Sequence, residues 1–288
     1  MDGLAPEALG PDRPAVSVPH GRTFYKMSGS GNDFIFFDAR HEPPGRLAEA
    51  LAIDQLCARA TGIGADGVVF LQSDPQQPFR IRYFNRDGSV GELCGNASLC
   101  TTRLAVELGL ATPEKVRFGT DAGVISARVL GGVPEIDTPA VLDLREDAGI
   151  ACEHGEQRIG FANTGVPHLV VLVDDTDQLD IAVRGRFLRH HGSLAAGANV
   201  NFVARRPGGR WKMRTFERGV EAETLACGTG AVASGVLLEK WGLSGAETAI
   251  ETRSGQILSV TVRHEDGATK PSLRGEGRIV FVGELGEV

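Results

Sequence analysis

The feature that most constrains the fold is an internal repeat that runs through most of the chain. The segment CGNASLCTTRLAVELGL (94–110) is similar to CGTGAVASGVLLEKWGL, which begins 133 residues further along, at 227 instead of 94. Three more segment pairs follow the same order with nearly the same shift: SGSGNDFIFFD (28–38) with TGVPHLVVLVD (164–174), GADGVVF (64–70) with GANVNFV (197–203), and FNR (84–86) with FER (216–218). Repetition at a fixed period indicates repeated structural units. The sequence therefore predicts two copies of one module.

Both copies predict the same mixture of strands and helices. In the first, FIFFD (34–38) predicts a strand, residues 46–60 a helix ending near Gly62, and VVFLQ and RIRYF two strands. In the second, the corresponding strands are HLVVLVDD, VNFVARR and WKMRTF, with a helix near 176–190. Further strands are predicted in VISARVL, QILSVTVR and GRIVFVGEL. The predicted fold class is α+β, with two pseudo-symmetric mixed α/β domains from an internal duplication.

The repeat also predicts the domain limits. A chain of 288 residues can hold two domains of ordinary size. We expect an N-terminal domain at 23–145 carrying Cys94, a C-terminal domain at 146–275 carrying Cys227, and a last strand at 276–288 that returns to the first domain. Residues 1–22 are rich in Pro, Gly and Ala, which predicts a disordered N-terminal extension.

Charge and cysteine content narrow the class of protein. A net charge of −7 and a pI near 5.6 argue against nucleic acid or an anionic membrane as partner. No apolar run reaches the roughly 18 residues of a membrane span, and the N-terminus lacks the apolar core of a signal peptide, so we expect a cytoplasmic protein. An odd number of cysteines without ligand spacing predicts reduced thiols and no metal site: Cys57, Cys94, Cys100, Cys152 and Cys227.

The two matched cysteines each precede a helical pattern of apolar residues. Unpaired N–H groups and the positive end of the helix dipole stabilise an anion, so a thiol at this position is expected to have a lowered pKa. Small residues after each cysteine leave backbone N–H groups open to a carboxylate: Gly95, Ala97, Gly228, Thr229 and Gly230.

A pseudo-twofold relation between the modules would bring Cys94 and Cys227 face to face across a cleft. One thiolate could then remove the α-proton of an amino acid while the other thiol protonates the opposite face, which inverts the stereocentre. Backbone N–H groups holding the carboxylate would also stabilise the developing enolate-like charge. The alternative is that both cysteines are small packing residues that a duplication preserved.

The motifs resemble those of the diaminopimelate epimerase family. MSGSGNDF, FNRDGSVGELCGN, GANVNFV and ERGVEAETLACGTGA are similar to the family's signatures and follow in the same order, from about residue 23 to the C-terminus. The resemblance implies a two-base epimerase that converts LL- into meso-diaminopimelate in lysine and peptidoglycan precursor synthesis. It also implies an enzyme without pyridoxal phosphate or metal, and a homodimer.

The resemblance assigns roles to individual residues. Cys94 and Cys227 would be the acid/base pair, and Glu217 and His168 would modulate their pKa values. The substrate-binding residues it implies are Asn32, Asn85, Gly95, Asn96, Asn199, Glu217, Arg218, Gly228 and Thr229, where Arg218 would bind the distal carboxylate and Glu217 a substrate ammonium. Taken alone, Asn32 and Asn85 are also compatible with turn residues, Glu217 and Arg218 with an exposed charged pair, and His168 with a hydrogen-bonded turn residue.

The chain departs from the family pattern at several positions. Val166 occupies the place of an asparagine in GNPH, Leu99 that of an arginine in CGNGARC, Ser28 that of a histidine, and Gly67 that of a glutamine. These departures concern mainly the distal end of the substrate, so another racemase or epimerase of the same fold is the nearest alternative. A noncatalytic thiol redox or ligand-binding module is the alternative from a different class.

Overall fold

A computed structural model describes residues 21–91, 93–153 and 155–286. Residues 1–20 of the predicted extension lie outside this range. Gly21 and Arg22 form backbone hydrogen bonds with Leu285. Gly21 N donates to Leu285 O at 2.8 Å, and Leu285 N donates to Arg22 O at 2.9 Å. The Arg22 side chain is buried. The beginning and the end of the described chain are therefore neighbours.

The first half of the chain holds nine strands and two α-helices among the described residues. They are β1 (Thr23–Gly29), β2 (Asn32–Asp38), α1 (Ala50–Cys57), β3 (Gly67–Gln72), β4 (Arg80–Asn85), β5 (Val90–Gly91), α2 (Gly95–Glu107), β6 (Val116–Thr120), β7 (Gly123–Leu130), β8 (Val133–Asp137) and β9 (Leu144–Arg145).

The second half repeats this order of elements in the described residues. They are β10 (Glu156–Asn163), β11 (Pro167–Val173), α3 (Ile181–Arg189), β12 (Asn199–Arg205), β13 (Trp211–Glu217), β14 (Ala222–Thr224), α4 (Gly228–Lys240), β15 (Glu247–Glu251), β16 (Ile257–Glu265), β17 (Ala268–Arg274) and β18 (Arg278–Glu284).

Strand pairing is the same in the two halves. The pairs β2–β3 and β4–β6 are parallel, as are their counterparts β11–β12 and β13–β15, and the other neighbours within each half are antiparallel. Among the described residues, three pairings join the halves. β8 pairs with β17, β9 pairs with β10, and β18 pairs with β1. The predicted α+β class with two pseudo-symmetric units is confirmed, and each half contributes its ninth strand to the first strand of the other.

Alternation along the strands divides each half into an inner and an outer layer. In β2, Phe34 and Phe36 face the core around α2, whereas Ile35 and Phe37 face the cluster that includes α1. Successive side chains point to opposite faces of a sheet, so a strand covered on both faces is apolar throughout. This is why FIFFD lacks the polar alternation of a half-exposed strand, and the same layering places α4 inside the second half.

The two inner helices, α2 and α4, are buried over most of their lengths. The first packs against β8 and β1, and the second against β16 and β10. No helix among the described residues combines the length and the apolar character needed to cross a membrane. The packing of the inner helices fixes the positions of Gly95 and Gly228, with which they begin.

The outer helices are shorter than the sequence predicts. Residues 46–60 form a 3-10 turn at Gly45–Ala48, an extended Glu49 and then α1. The predicted helix at 176–190 likewise divides into a 3-10 turn at Thr176–Gln178 and α3. In the second case two separate caps explain the break. Asp175 accepts from Asp177 N at 3.0 Å and Asp180 accepts from Val183 N at 3.1 Å, so each segment has its own N-terminus.

Candidate active site

The first residues of the two inner helices contact each other at the middle of the molecule. A Cβ atom placed on Gly95 would lie 3.6 Å from the Cα of Gly228, and one placed on Gly228 would lie 3.4 Å from the Cα of Gly95. Leu273 lies against both glycines, since its Cδ2 would be 3.2 Å from the Cβ placed on Gly95 and 3.0 Å from the one placed on Gly228. The two helix starts are thus in van der Waals contact, and a side chain on either glycine would press most closely on Leu273.

Cys94 and Cys227 immediately precede these glycines and are the N-cap residues of α2 and α4. Both have extended backbone angles, with φ of −127° and −137°. Cys94 is partly exposed and Cys227 is buried, and the charge of the Cys94 thiolate acts on the pKa of Cys227. The predicted placement of both cysteines at helix starts is thus observed, and the contact between the glycines brings the thiols into one site.

Burial dominates the acidity of both thiols. It raises the pKa of Cys94 to about 11 and that of Cys227 to about 12, because a thiolate loses its hydration there. The carboxylate of Glu217 raises both pKa values further by repulsion. Burial also raises the pKa of Glu217 itself.

The helix starts do lower the thiol pKa values, as expected, but by less than burial raises them. Ala97 N–H and Asn96 N–H favour the thiolate of Cys94, while the Thr229 hydroxyl and Gly230 N–H favour that of Cys227. The expectation of a pKa below that of a free thiol was therefore wrong for the free protein. Helix position could be read from the sequence, but the depth of burial could not.

In the first half, a series of hydrogen bonds between side chains leads from the surface to the start of α2. Arg59 donates to Asp66 at 2.6 Å, Asp66 accepts from Asn32 Nδ2 at 2.9 Å, and Asn32 Oδ1 accepts from Asn96 Nδ2 at 2.7 Å. Asn96 is 2% exposed, and its Oδ1 has no hydrogen-bond partner among the described residues. Two of the predicted binding residues, Asn32 and Asn96, therefore contact each other directly.

In the second half, the side chain of His168 contacts the start of α4. Its Nε2 lies 3.0 Å from Thr229 Oγ1, and that hydroxyl lies 3.6 Å from Cys227 Sγ. His168 is fully buried, which lowers its pKa to about 3, with a smaller contribution from the positive charge of Arg218. The imidazole is therefore neutral near pH 7.

Two more predicted residues, Asn85 and Glu217, are the last residues of equivalent strands, and Asn199 supports the backbone next to Glu217. Asn85 ends β4 and donates to Ser89 Oγ at 3.0 Å, and Glu217 ends β13. Asn199 donates to Pro167 O at 3.2 Å and accepts from Arg218 N at 2.8 Å, so its side chain holds the backbone of the predicted carboxylate-binding arginine.

The departures from the family pattern have structural explanations at two positions. Leu99 is fully buried in the core, where an arginine would need a counter-charge. Gly67 lies under Tyr83 and Phe84, since a Cβ there would be 2.6 Å from the Tyr83 ring and 2.5 Å from Phe84 O. Val166 is half-buried and accepts from Thr164 N at 3.2 Å through its carbonyl.

Asn201 is a site residue that the sequence analysis missed. It is fully buried, and its Nδ2 lies 3.1 Å from His168 Nδ1 and 3.0 Å from Leu169 O. Its Oδ1 accepts from Thr215 Oγ1 at 2.9 Å. A signal was present, because an asparagine in the buried apolar run VNFVA needs hydrogen-bond partners.

No group of three or more His, Cys, Asp or Glu side chains in the described residues is arranged to hold a metal ion. The side chains near the two thiols instead supply hydrogen-bond donors, one buried carboxylate and a neutral imidazole.

Solved structures with this fold include several isomerases. A PhzF-family phenazine biosynthesis protein from Bacillus anthracis is 16% identical, with a TM-score of 0.74 and coverage of 93% of this chain and 99% of its own. A hydroxyproline epimerase from Agrobacterium vitis is 18% identical, with a TM-score of 0.64 and coverage of 92% of both chains. The chain thus has the same fold as these two proteins.

The comparison with known sequences is more specific. The family model described as diaminopimelate epimerase matches residues 24–133 and 160–280. A diaminopimelate epimerase from Gemmatimonas aurantiaca is 47% identical over 274 residues, covering 91% of this chain and 99% of the relative. One from Aquifex aeolicus is 38% identical, covering 92% and 98%. The chain belongs to the diaminopimelate epimerase family and is an isomerase.

Proposed function

We propose that this isomerase interconverts LL- and meso-diaminopimelate by proton transfer between Cys94 and Cys227. The observation that carries the proposal is the contact of Gly95 with Gly228, which brings two cysteine-capped helix starts to one point. The relatives that cover nearly the whole chain are diaminopimelate epimerases. The reaction would serve lysine and peptidoglycan precursor synthesis.

The α-carboxylate of the substrate would bind at the starts of α2 and α4. The first N–H groups of a helix have no partner within it and favour an anion. Gly95 and Asn96 in one helix, and Gly228 and Thr229 in the other, offer such groups. They would also stabilise the enolate-like charge when the α-proton leaves.

The two thiols would exchange roles in each direction of the reaction. With pKa values of about 11 and about 12, both are protonated in the free protein near pH 7. Loss of one proton creates a thiolate that removes the α-proton from one face, and the other thiol protonates the opposite face of the carbanion. The proton count is unchanged by a turnover, and the protonation of the two cysteines is reversed.

The other end of the substrate would be held by the residues that the family motifs supply. Arg218 would bind the distal carboxylate and Glu217 an ammonium group, with Asn85 and Asn199 nearby and Asn32 toward the reacting centre. Asn199 supports this role because it holds Arg218 N at 2.8 Å. His168 and Glu217 would modulate the thiol pKa values, as the charge of Glu217 does.

We further propose a homodimer in the cytoplasm. Strand β18 pairs with β1 and with no other strand in the described part of the chain, and it exposes Val280, Phe281 and Val282 by 46%, 47% and 54%. An apolar edge strand is a common pairing surface. All five cysteines are free, and a reducing compartment would keep Cys94 and Cys227 from forming a disulfide.

The test is exchange of the α-proton of diaminopimelate with solvent deuterium, measured with interconversion of the LL and meso forms. Cys94→Ala and Cys227→Ala should each lower interconversion by about 10²- to 10⁴-fold or more, because each removes an acid/base group. Cys152→Ser is the matched control, since Cys152 is exposed. Interconversion at the wild-type rate in either alanine variant would exclude the two-thiol reaction, and activity on another amino acid alone would exclude the substrate.

A further inference from the structure

A single main-chain carbonyl orients a row of hydrogen bonds that ends at Cys227. The carbonyl of Leu169 can only accept, so the Asn201 side-chain atom 3.0 Å away is the amide nitrogen. That nitrogen has two hydrogens. One goes to Leu169 O, and the other points to His168 Nδ1 at 3.1 Å.

Because Asn201 donates to Nδ1, that nitrogen of His168 carries no proton. Burial keeps the imidazole neutral, so its one proton lies on Nε2. Nε2–H then donates to Thr229 Oγ1 at 3.0 Å. The hydroxyl, having accepted, directs its own hydrogen to Cys227 Sγ at 3.6 Å.

We propose that Asn201 is a positioning residue of the epimerase reaction, which locks His168 in the Nε2–H tautomer and thereby makes the Thr229 hydroxyl a donor to Cys227. In this arrangement His168 is an orienting group that neither takes up nor releases a proton. The inference deepens the proposed function, since it rests on Cys227 being one of the two reacting thiols.

Packing supports a dedicated place for Asn201. A Cβ atom on Gly230 would lie 2.2 Å from Asn201 Oδ1 and 3.2 Å from Cys227 Sγ, so the first turn of α4 lies directly on the asparagine. Thr215 Oγ1 donates to the same Oδ1 and fills its second side. The amide is therefore held in one orientation from both ends.

The duplication shows that this row is specific to the second half. In the first half the position of His168 is occupied by Phe34, because Ile35 pairs with β3 as Leu169 pairs with β12. Asn96, the counterpart of Thr229, contacts Asn32 at 2.7 Å. There, however, Asn96 donates toward Asn32 and Asn32 toward Asp66, so the row leads away from the cysteine. Cys94 therefore relies on backbone N–H groups, whereas Cys227 has an oriented hydroxyl as well.

Charged and titratable groups near these hydrogen bonds also affect Cys227 and His168. Glu217 and Cys94 act by charge on Cys227, and Arg218 acts on His168. These groups are left unchanged in the variants below, so their contributions cancel in comparison with the wild type.

The first experiment reads the tautomer directly. Nitrogen-15 NMR of the imidazole rings in the intact protein distinguishes a protonated from an unprotonated nitrogen, and His168→Gln identifies the signals among the seven histidines. We expect Nε2 protonated and Nδ1 unprotonated from pH 6 to pH 8 in the wild type. A proton on Nδ1 there would overturn the proposal.

The second experiment measures the effect on the thiol. Alkylation of Cys227 by iodoacetamide is followed against pH by peptide mass spectrometry, with Cys94 in the same sample as internal reference. In Thr229→Val, which replaces the hydroxyl by a methyl, Cys227 should react about tenfold more slowly at a given pH below its pKa, and Cys94 should be unchanged. Asn201→Leu, which removes the donor to Nδ1 without adding a charge, should shift the Cys227 profile in the same direction.

The double variant should add nothing to either single one, because both break the same row. Ser234→Ala controls for a general disturbance of α4, since Ser234 is buried in that helix and contacts Met213 instead. A Cys227 reaction profile unchanged in Thr229→Val overturns the proposal even if the Asn201 variant fails to fold. Neither readout needs substrate, so a protein inactive on diaminopimelate would refute the proposed function and still test this inference.

Discussion

Gly95 and Gly228 contact each other across the pseudo-twofold relation of the molecule, with 3.6 Å from a Cβ placed on the first to the Cα of the second. The contact sets the separation of two helix starts and of the thiols that cap them. Several consequences of this arrangement can be measured.

Gly228→Ala should lower epimerase activity by about tenfold or more and the free energy of unfolding by about 1–3 kcal/mol. Its Cβ would lie 3.0 Å from Leu273 Cδ2 and 3.2 Å from Asn96 Oδ1, so the side chains of Leu273 and Asn96 must shift, and Asn96 lies at the start of α2. Activity assays and denaturant unfolding measure both effects. Gly245→Ala, which places a Cβ with no atom within 4 Å, is the control. Full activity in Gly228→Ala would show that the close packing around this glycine is not critical for the reaction.

Glu217→Gln should lower the pKa of both Cys94 and Cys227, because the carboxylate raises both by repulsion. At a given pH between about 8 and 10 both thiols should react faster with iodoacetamide, by up to about tenfold per unit of pKa. Epimerase activity should nevertheless fall if Glu217 binds the substrate ammonium. Glu284→Gln, on β18, should leave both alkylation rates unchanged. Faster alkylation of only one thiol would contradict a shared site.

His168→Gln should make the protein less sensitive to acid. In the folded state the pKa of His168 is about 3, against 6.5 for a solvated histidine, so below pH 6.5 the unfolded chain binds the proton that the folded protein does not. The stability contributed by the neutral imidazole is thus complete above pH 6.5 and is lost toward pH 3, at about 1.4 kcal/mol per pH unit.

Urea unfolding between about pH 6 and pH 4 measures this dependence as a slope, so a constant loss of stability in the variant does not obscure it. His41→Gln, which replaces a histidine at an exposed position, is the control. An unchanged slope in His168→Gln would mean that the histidine is protonated in the folded protein.

Val282→Lys should weaken self-association without unfolding the protein. Val282 is 54% exposed on β18, and a charge on an edge strand opposes pairing with a second copy. Sedimentation velocity across a concentration series should show a dimer for the wild type and a monomer for the variant. The lysine is solvated in either state, so the thermal midpoint of the isolated subunit should change little. A wild type that is monomeric throughout would remove the dimer proposal.

The elements that could be predicted from the sequence are those determined by local patterns and by the repeat. The repeat located α2 and α4, and alternation located β2, β12 and β13. What it did not predict depends on tertiary contact. Asn201 was passed over in favour of Asn199, because its partners His168 and Leu169 become neighbours only when β11 and β12 pair in parallel. The thiol pKa values had the wrong expected direction because helix position is visible in the sequence and burial is not.

The reciprocal pairing of β9 with β10 and of β18 with β1 describes a strand-exchanged dimer whose two chains have been joined. A single unfused copy would complete its sheet only with a strand from a second copy, and its one helix-start cysteine would then face itself across the symmetry axis. Two halves on one chain can differ in sequence, as they do where Phe34 in the first half corresponds to His168 in the second. Two identical halves would treat both faces of a substrate alike, whereas the halves of the present chain can treat them differently.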